Sequence, residues 1–337
     1  MLRELDIDLW VADLSPERRA WAVERGVDPS HVVEDFRDAL DAVDAVDVVT
    51  PADSHAVIAE ACLKVGRHCF VEKPLAMTAV EARQLAAVAA AVKRVLQVGH
   101  IFRFHPVTAA LRDALAGGRL GAIRFATGRF AGFKRPRTDV GVTHSDAIHY
   151  FDLFAYLFGR AATGVTSFQG DYLGRGRDDL SVTVVRYGDV AAIVEADYFT
   201  PGTYRQCVIV GDRGAVVADY GAGTVAFHPA EHRRRGTSWE AEEGPVESLA
   251  AIGEEPLRAE LSAFVDACAG RRANPVTAAA GVHALEIVEA AALSARERRE
   301  VAVVPKGGLE PPHPCGHMAL NHARLPIPPL RLGERGS

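Results

Sequence analysis

An α/β domain built on a parallel sheet, followed by an α+β domain with a mostly antiparallel open sheet, is the fold class this sequence predicts, and three observations predict it. From residue 7 to about 100, short apolar runs alternate with helix signals, as in βαβ units whose sheet is covered on both faces. After about residue 120 the runs lengthen and alternate with period 2, the mark of strands with one buried face. From Lys306 to Ser337, repeated prolines and no sustained period point to a tail with little stable structure. We therefore expect domains over residues 1–102 and 103–305 and a disordered tail over 306–337.

In the first domain the expected strands are Ile7–Ala12, Val46–Thr50, His68–Val71 and Val95–Val98. Ser15-Pro16-Glu17 places a cap residue ahead of a proline tolerated in the first helical turn, and Thr78 with Glu81 has capping-box spacing. In the second domain we expect strands at Ala122–Phe130, Leu180–Val185, Ala191–Tyr198, Gln206–Val210 and Ala215–Asp219, and helices at Ser145–Leu157, Leu257–Ala269 and Thr277–Ser294.

Of 337 residues, 48% are hydrophobic, enough to bury a sizeable core. A net charge of −6 supplies no basic surface for phosphates, so small-molecule chemistry is expected and a nucleic-acid partner is not. Cys62, Cys69, Cys207, Cys268 and Cys315 lack the paired spacing of a zinc site or a disulfide framework, which suggests a reducing cytoplasm. His313, Cys315, His317 and His322 match no familiar metal spacing, and no metal is expected. No apolar run approaches the roughly 18 residues of a membrane span, so no membrane association is expected either.

Residues with chemical potential fall where strands end, the place at which open α/β sheets bind ligands. Asp13 follows the first run, where a carboxylate can meet a ribose diol; the plainer alternative is a turn or cap residue. Such a carboxylate favours NAD over NADP, since a 2′-phosphate would meet like charge. Thr50, Pro51 and His55 follow the second run, with His55 open to a capping or surface role. Glu72-Lys73-Pro74 follows the third: a lysine in a cleft can protonate or deprotonate a substrate oxygen, Glu72 can orient it, and Pro74 stiffens the turn.

These residues, continued by Val98-Gly99-His100, Arg103-Phe104 and Pro106, form a series that resembles the glucose-fructose oxidoreductase, inositol dehydrogenase and rhizopine-catabolism (Gfo/Idh/MocA) family. The resemblance extends through Gly118–Gly121, Asp139–Val142, His149 with Asp152, Tyr198–Pro201, Arg205 and the late helix from Glu255, covering roughly residues 4 to 304. It is most similar to the branch acting on nucleotide sugars, typified by UDP-N-acetylglucosamine 3-dehydrogenases, with myo-inositol dehydrogenases next.

The resemblance implies a Rossmann domain joined to an α+β domain, and hydride transfer between a sugar carbon and nicotinamide. Lys73 would be the catalytic lysine and His149 a second acid/base, with Asp13 on the adenosine ribose. Thr50, Pro51, His55, Glu72, Lys73, Gly99 and His100 would line the cofactor. On an α-helix Asp146 and Asp152 each lie three residues from His149, close enough to bias its protonation, and Asp146 joins the catalytic candidates. Arg103, Arg135 and Arg137 are candidate substrate contacts, and the run Lys134-Arg135-Pro136-Arg137 separates a diphosphate-linked sugar from free inositol unless it is a solvated loop.

Two departures from the family pattern stand out. Where members carry an aspartate four residues before the histidine, this chain has Ser145, and one step along a helix turns a side chain by about 100°. Met1–Leu5 reads as the last turn of a first helix, so the first strand and the glycine-rich pyrophosphate turn are expected to be missing, from a start codon placed too late or from true truncation. Their loss would deprive the second and fourth strands of a shared neighbour, and would admit a reading of another class, a sensor or scaffold without cofactor. The family also implies a homodimer or homotetramer across the open sheet.

Overall fold

The computed structural model describes Leu5 and residues 7–303; the tail and its histidine and cysteine candidates lie outside the described residues. The first part runs β1 (Val11–Ala12), α1 (Pro16–Glu24), β2 (Val32–Val33), β3 (Ala45–Val48), α2 (Ala52–Lys64), β4 (His68–Glu72), α3 (Ala79–Val92), β5 (Leu96–Gly99) and α4 (Pro106–Ala116). Its local signals hold: Arg18 donates its backbone N–H to Ser15 Oγ, and Thr78 and Glu81 form a reciprocal capping box. The strand expected over Ile7–Ala12 narrows to two residues.

The parallel strands do not form one continuous sheet. β1 pairs with β2, whereas β3, β4 and β5 form a separate three-stranded ladder, and no ladder joins β1 to β3 among the described residues. Leu14 and Val49, which follow β1 and β3, are 80% and 67% exposed.

The second part contains β6 (Ile123–Gly132), a π-helical turn (Thr143–Ala147), α5 (Ile148–Phe158), β7 (Gly164–Gly170), β8 (Leu180–Tyr187), β9 (Val190–Asp197), β10 (Thr203–Gly211), β11 (Gly214–Asp219), β12 (Thr224–Arg235), β13 (Ser238–Glu243), β14 (Glu247–Leu249), α6 (Pro256–Cys268), α7 (Ala278–Glu297) and β15 (Val301–Ala302). Its sheet has the order β13-β12-β11-β10-β6-β9-β8-β7-β15, with β14 beside β12. Every pairing is antiparallel except β6 with β9, so the sheet is mostly antiparallel, as its alternating pattern predicts. One face is buried; Phe125, Phe168, Val182, Ile193 and Val217 leave the other partly apolar and open.

Helix α5 lies in the core, with Tyr150, Phe151, Leu153 and Phe154 fully buried, each contributing on the order of 2 kcal/mol by burial. It fits against β6 because Gly128 lacks a side chain: a Cβ there would lie 2.5 Å from the Tyr150 ring. Helix α7 corrects one expectation. Its 20 residues are long and apolar enough to span a bilayer by composition. Most of it is buried instead, and Arg83 pairs with its Glu286 while its Glu289 accepts the N–H of Ala79, so its apolarity belongs to the core that joins the two domains.

Candidate active site

Parallel register sets Val48, Val71 and Val98 side by side, so the residues after β3, β4 and β5 open onto one edge. At that edge His55, one turn into α2 and 1% exposed, places Nδ1 2.8 Å from Pro74 O and Nε2 2.7 Å from Thr50 O. A neutral ring has one N–H and donates to one of these carbonyls. His55 thus hydrogen-bonds one strand-end carbonyl and lies against the other, buried between the two strand ends instead of presenting itself to a ligand. The Lys73–Pro74 peptide is cis. Glu72 accepts the N–H of Lys73 at 3.1 Å and packs against Gly99, where a Cβ would come within 3.1 Å of the carboxyl, so glycine is what admits Glu72 there.

Lys73 turns its ammonium inward and donates to the carbonyl of Ser145 at 2.6 Å, which ties the end of β4 to the π-helical turn that leads into α5 and His149. Burial lowers its pKa to about 8; the negative charges of Asp146 and Glu72 oppose the shift, and Arg137 and Lys134 add to it. A lysine so placed exchanges its proton near neutral pH.

His149 is 6% exposed, and its Nδ1 is buried without a hydrogen-bond partner. Rings hold it: Phe102 stacks at 4.9 Å and Phe130 at 5.2 Å, and Tyr220 stacks on Phe102 at 4.4 Å. Burial, then the positive charges of Lys73, His100, Arg205 and Lys134, hold its pKa well below the usual histidine value, so the ring is neutral.

Neither aspartate flanks His149 as α-helical spacing suggested. Asp146 lies in the π-helical turn and sits 2.6 Å from Lys134 Nζ, close enough for an ion pair though off the axis of a hydrogen bond. Asp152 is captured by Arg103 through Nε at 2.8 Å and Nη2 at 2.5 Å, and lies 3.8 Å from His100. Burial pushes the Asp152 carboxyl up, but Arg103 and His100 outweigh it and its pKa is lowered. Arg103, with a side chain 7% exposed, is therefore a structural partner and not a substrate contact. His100 is buried with both ring nitrogens unpartnered, and its pKa falls to about 4 chiefly through burial.

The basic run is likewise partly engaged. Arg137 holds Asp139 through Nε and Nη2, and Asp139 in turn accepts the N–H of Ala52 at the start of α2, which links the second domain to the first. Lys134 points into the cleft toward Asp146, 4.9 Å from the Phe130 ring centre and 5.4 Å from that of Tyr198. Arg135 is exposed. Sequence reasoning gave no role to Phe102, Phe130, Tyr198 or Tyr220: Phe130 is one more inward residue of β6, while Phe102 lies in the short turn after β5 and Tyr198 and Tyr220 just past β9 and β11, where no local pattern marks them.

For a dinucleotide the donor set fits. Asp13 receives the N–H of Ser15 on Oδ1, while among the described residues Oδ2 is held only by the exposed Arg18 at 3.5 Å, leaving a carboxylate edge available to a diol. Exposed Val49, Thr50 and Pro51 form a ledge on which a flat ring can rest. Among the described residues, no group of three or more His, Cys, Asp or Glu side chains is arranged to hold a metal ion.

Comparison with known proteins identifies the family. Residues 9–100 match the model of an oxidoreductase family described as an NAD-binding Rossmann fold, and residues 112–303 match its C-terminal alpha/beta domain. UDP-N-acetylglucosamine 3-dehydrogenase of Acidithiobacillus ferrooxidans is 32% identical over 228 residues, 67% of this chain and 70% of that protein. Inositol 2-dehydrogenase of Rhizobium meliloti is 29% identical over 51% of this chain and 56% of that protein. An inositol dehydrogenase homolog from Azotobacter vinelandii, solved with NADH and myo-inositol, shares the fold with a TM-score of 0.72 at 24% identity, over 86% of this chain and 88% of that one.

Proposed function

Because the chain belongs to the Gfo/Idh/MocA family of NAD-dependent oxidoreductases, we propose that it interconverts a secondary alcohol and a ketone on a sugar or cyclitol, with Lys73 and His149 handling the hydroxyl proton. The observation that carries this reading is the inward Lys73, bonded to Ser145 O at 2.6 Å and lowered to about 8 by burial. NAD supplies the hydride acceptor; Asp13, Thr50, Pro51, Glu72 and Gly99 are the residues that would hold it. In the oxidation direction a neutral Lys73 accepts the hydroxyl proton, and neutral His149, fixed between Phe102 and Phe130, orients that hydroxyl without competing for charge. An assembled Lys73 and His149 also favour an enzyme over a sensor or scaffold.

The nucleotide-sugar substrate expected from the sequence draws support from the 32% identical relative. Charge geometry supports a smaller substrate. Arg137 already serves Asp139 and Lys134 is partly neutralised by Asp146, which leaves Arg135 as the exposed guanidinium of that run for a diphosphate. We further infer a homodimer or homotetramer that covers the open face of the large sheet, because Phe125, Val182, Ile193 and Val217 lie together on it. The decisive experiment replaces Lys73 by Met in the full chain. Loss of at least about a thousandfold in kcat, with the thermal shift produced by NAD retained, supports the role; unchanged turnover removes Lys73 from the chemistry.

A further inference from the structure

Positive charge around the cleft is unevenly neutralised. Arg103, Arg137 and Arg175 are each matched by an aspartate of their own, Asp152, Asp139 and Asp179. Lys134 and Arg205 share a single carboxylate, Asp146, which pairs with Lys134 and acts on Arg205 from a distance. Asp146 also attracts Lys73, which has Glu72 as a second source of negative charge.

Arg205, on the inward face of β10, is half-buried and lies 3.4 Å over the centre of the Phe130 ring. Its Nη1 donates to the carbonyls of Ala131 at 3.1 Å and Tyr204 at 2.6 Å. Among the described residues its Nε and Nη2 have no acceptor, and these two N–H groups form the edge that pairs bidentately with a carboxylate. Lys134 lies against the same Phe130 ring, which also stacks on His149. Neither of these two groups is buried, so the edge stays open to solvent and to an incoming carboxylate. A diphosphate is a poorer match, since it carries more charge than one fork and one ammonium shared with Asp146 can balance.

We propose that the Nε and Nη2 edge of Arg205, with Lys134 beside it, receives the carboxylate of an acidic sugar, an aldonate or uronate, whose secondary hydroxyl then faces Lys73 and His149. This rests on the alcohol-oxidising role proposed above and names its substrate class.

The test compares acidic and neutral partners of one shape on the full chain with NAD: glucuronate against glucose, galacturonate against galactose, and gluconate against glucitol. The acidic member is expected to have kcat/KM at least thirtyfold higher, and Arg205→Met and Lys134→Met should each reduce that preference to below about fivefold, with Arg205→Lys keeping part of it. Equal or better use of the neutral partners overturns the inference and leaves the alcohol-oxidising role standing.

Calorimetry separates the two failures. Galactarate should bind the chain at least tenfold more tightly than galactitol, and Lys134→Met should reduce the difference to below about fivefold. Galactarate bound in this way with no alcohol turned over would sink the oxidising role and leave the anion site. Galactarate bound no better than galactitol, or inorganic phosphate bound as tightly as galactarate, overturns the sugar-acid assignment.

Discussion

Replacing Glu260 by Gln should stabilise the protein at neutral and alkaline pH. Glu260 is fully buried in α6, its backbone carbonyl accepts from Gln97 Nε2 at 3.2 Å, and both carboxyl oxygens lack a partner. Burial, then the negative charges of Glu72, Asp47 and Asp152, raise its pKa to about 9. An unfolded glutamate titrates near about 4.3, so the folded value is raised and the native state keeps the proton. Its contribution is full below the unfolded value and is lost progressively as pH rises toward about 9. At pH 7 the interval of about 2.7 units above the unfolded value, at about 1.36 kcal/mol per pH unit, corresponds to roughly 4 kcal/mol. Glutamine keeps the shape and removes the titration, and its own buried amide offsets part of the gain. Urea unfolding of both proteins between pH 5 and 9 should show a difference near zero at pH 5 that grows to about 4 kcal/mol in favour of Glu260→Gln at pH 8. A variant destabilised equally at every pH would mean that the carboxylate is ionised and paired in the native state, and the argument from burial would fall.

Oxidation should accelerate as pH rises through about 8, where Lys73 loses its proton; Lys134→Met removes a repelling cation and should move that rise to higher pH in a kcat profile, and a profile flat from pH 6 to 10 would exclude Lys73 as the base. Gly128→Ala should lower stability by roughly 1–3 kcal/mol in chemical denaturation, because the buried Tyr150 ring cannot yield to a Cβ at 2.5 Å. Ile193→Asp, on the open sheet face, should convert an oligomer to monomer in sedimentation velocity; an unchanged sedimentation coefficient would place the interface elsewhere.

Those parts of the molecule that are local in sequence were legible there. The capping box at Thr78, the proline after Ser15, the strand-end position of Lys73 and the alternation of β8 to β11 each depend on residues within a few positions of one another, and each appears as expected. The site departs where local geometry changes or a partner comes from afar. Placing Asp146 and Asp152 on either side of His149 assumed a continuous α-helix, but the chain forms a π-helical turn over Thr143–Ala147 before α5 begins. That wider turn changes the angular relation of Asp146 to His149, and the carboxylate meets Lys134 on the neighbouring loop. Asp152 is α-helical as expected, yet Arg103 reaches it across 49 positions, and a bidentate pair of that strength outcompetes an imidazole for the carboxylate. The same pairing removes Arg103 from the cleft, while Arg205, quoted from the sequence without a role, keeps the edge of its guanidinium open. Residue type alone therefore could not rank the arginines as ligands; what ranks them is which ones the fold has already supplied with an aspartate.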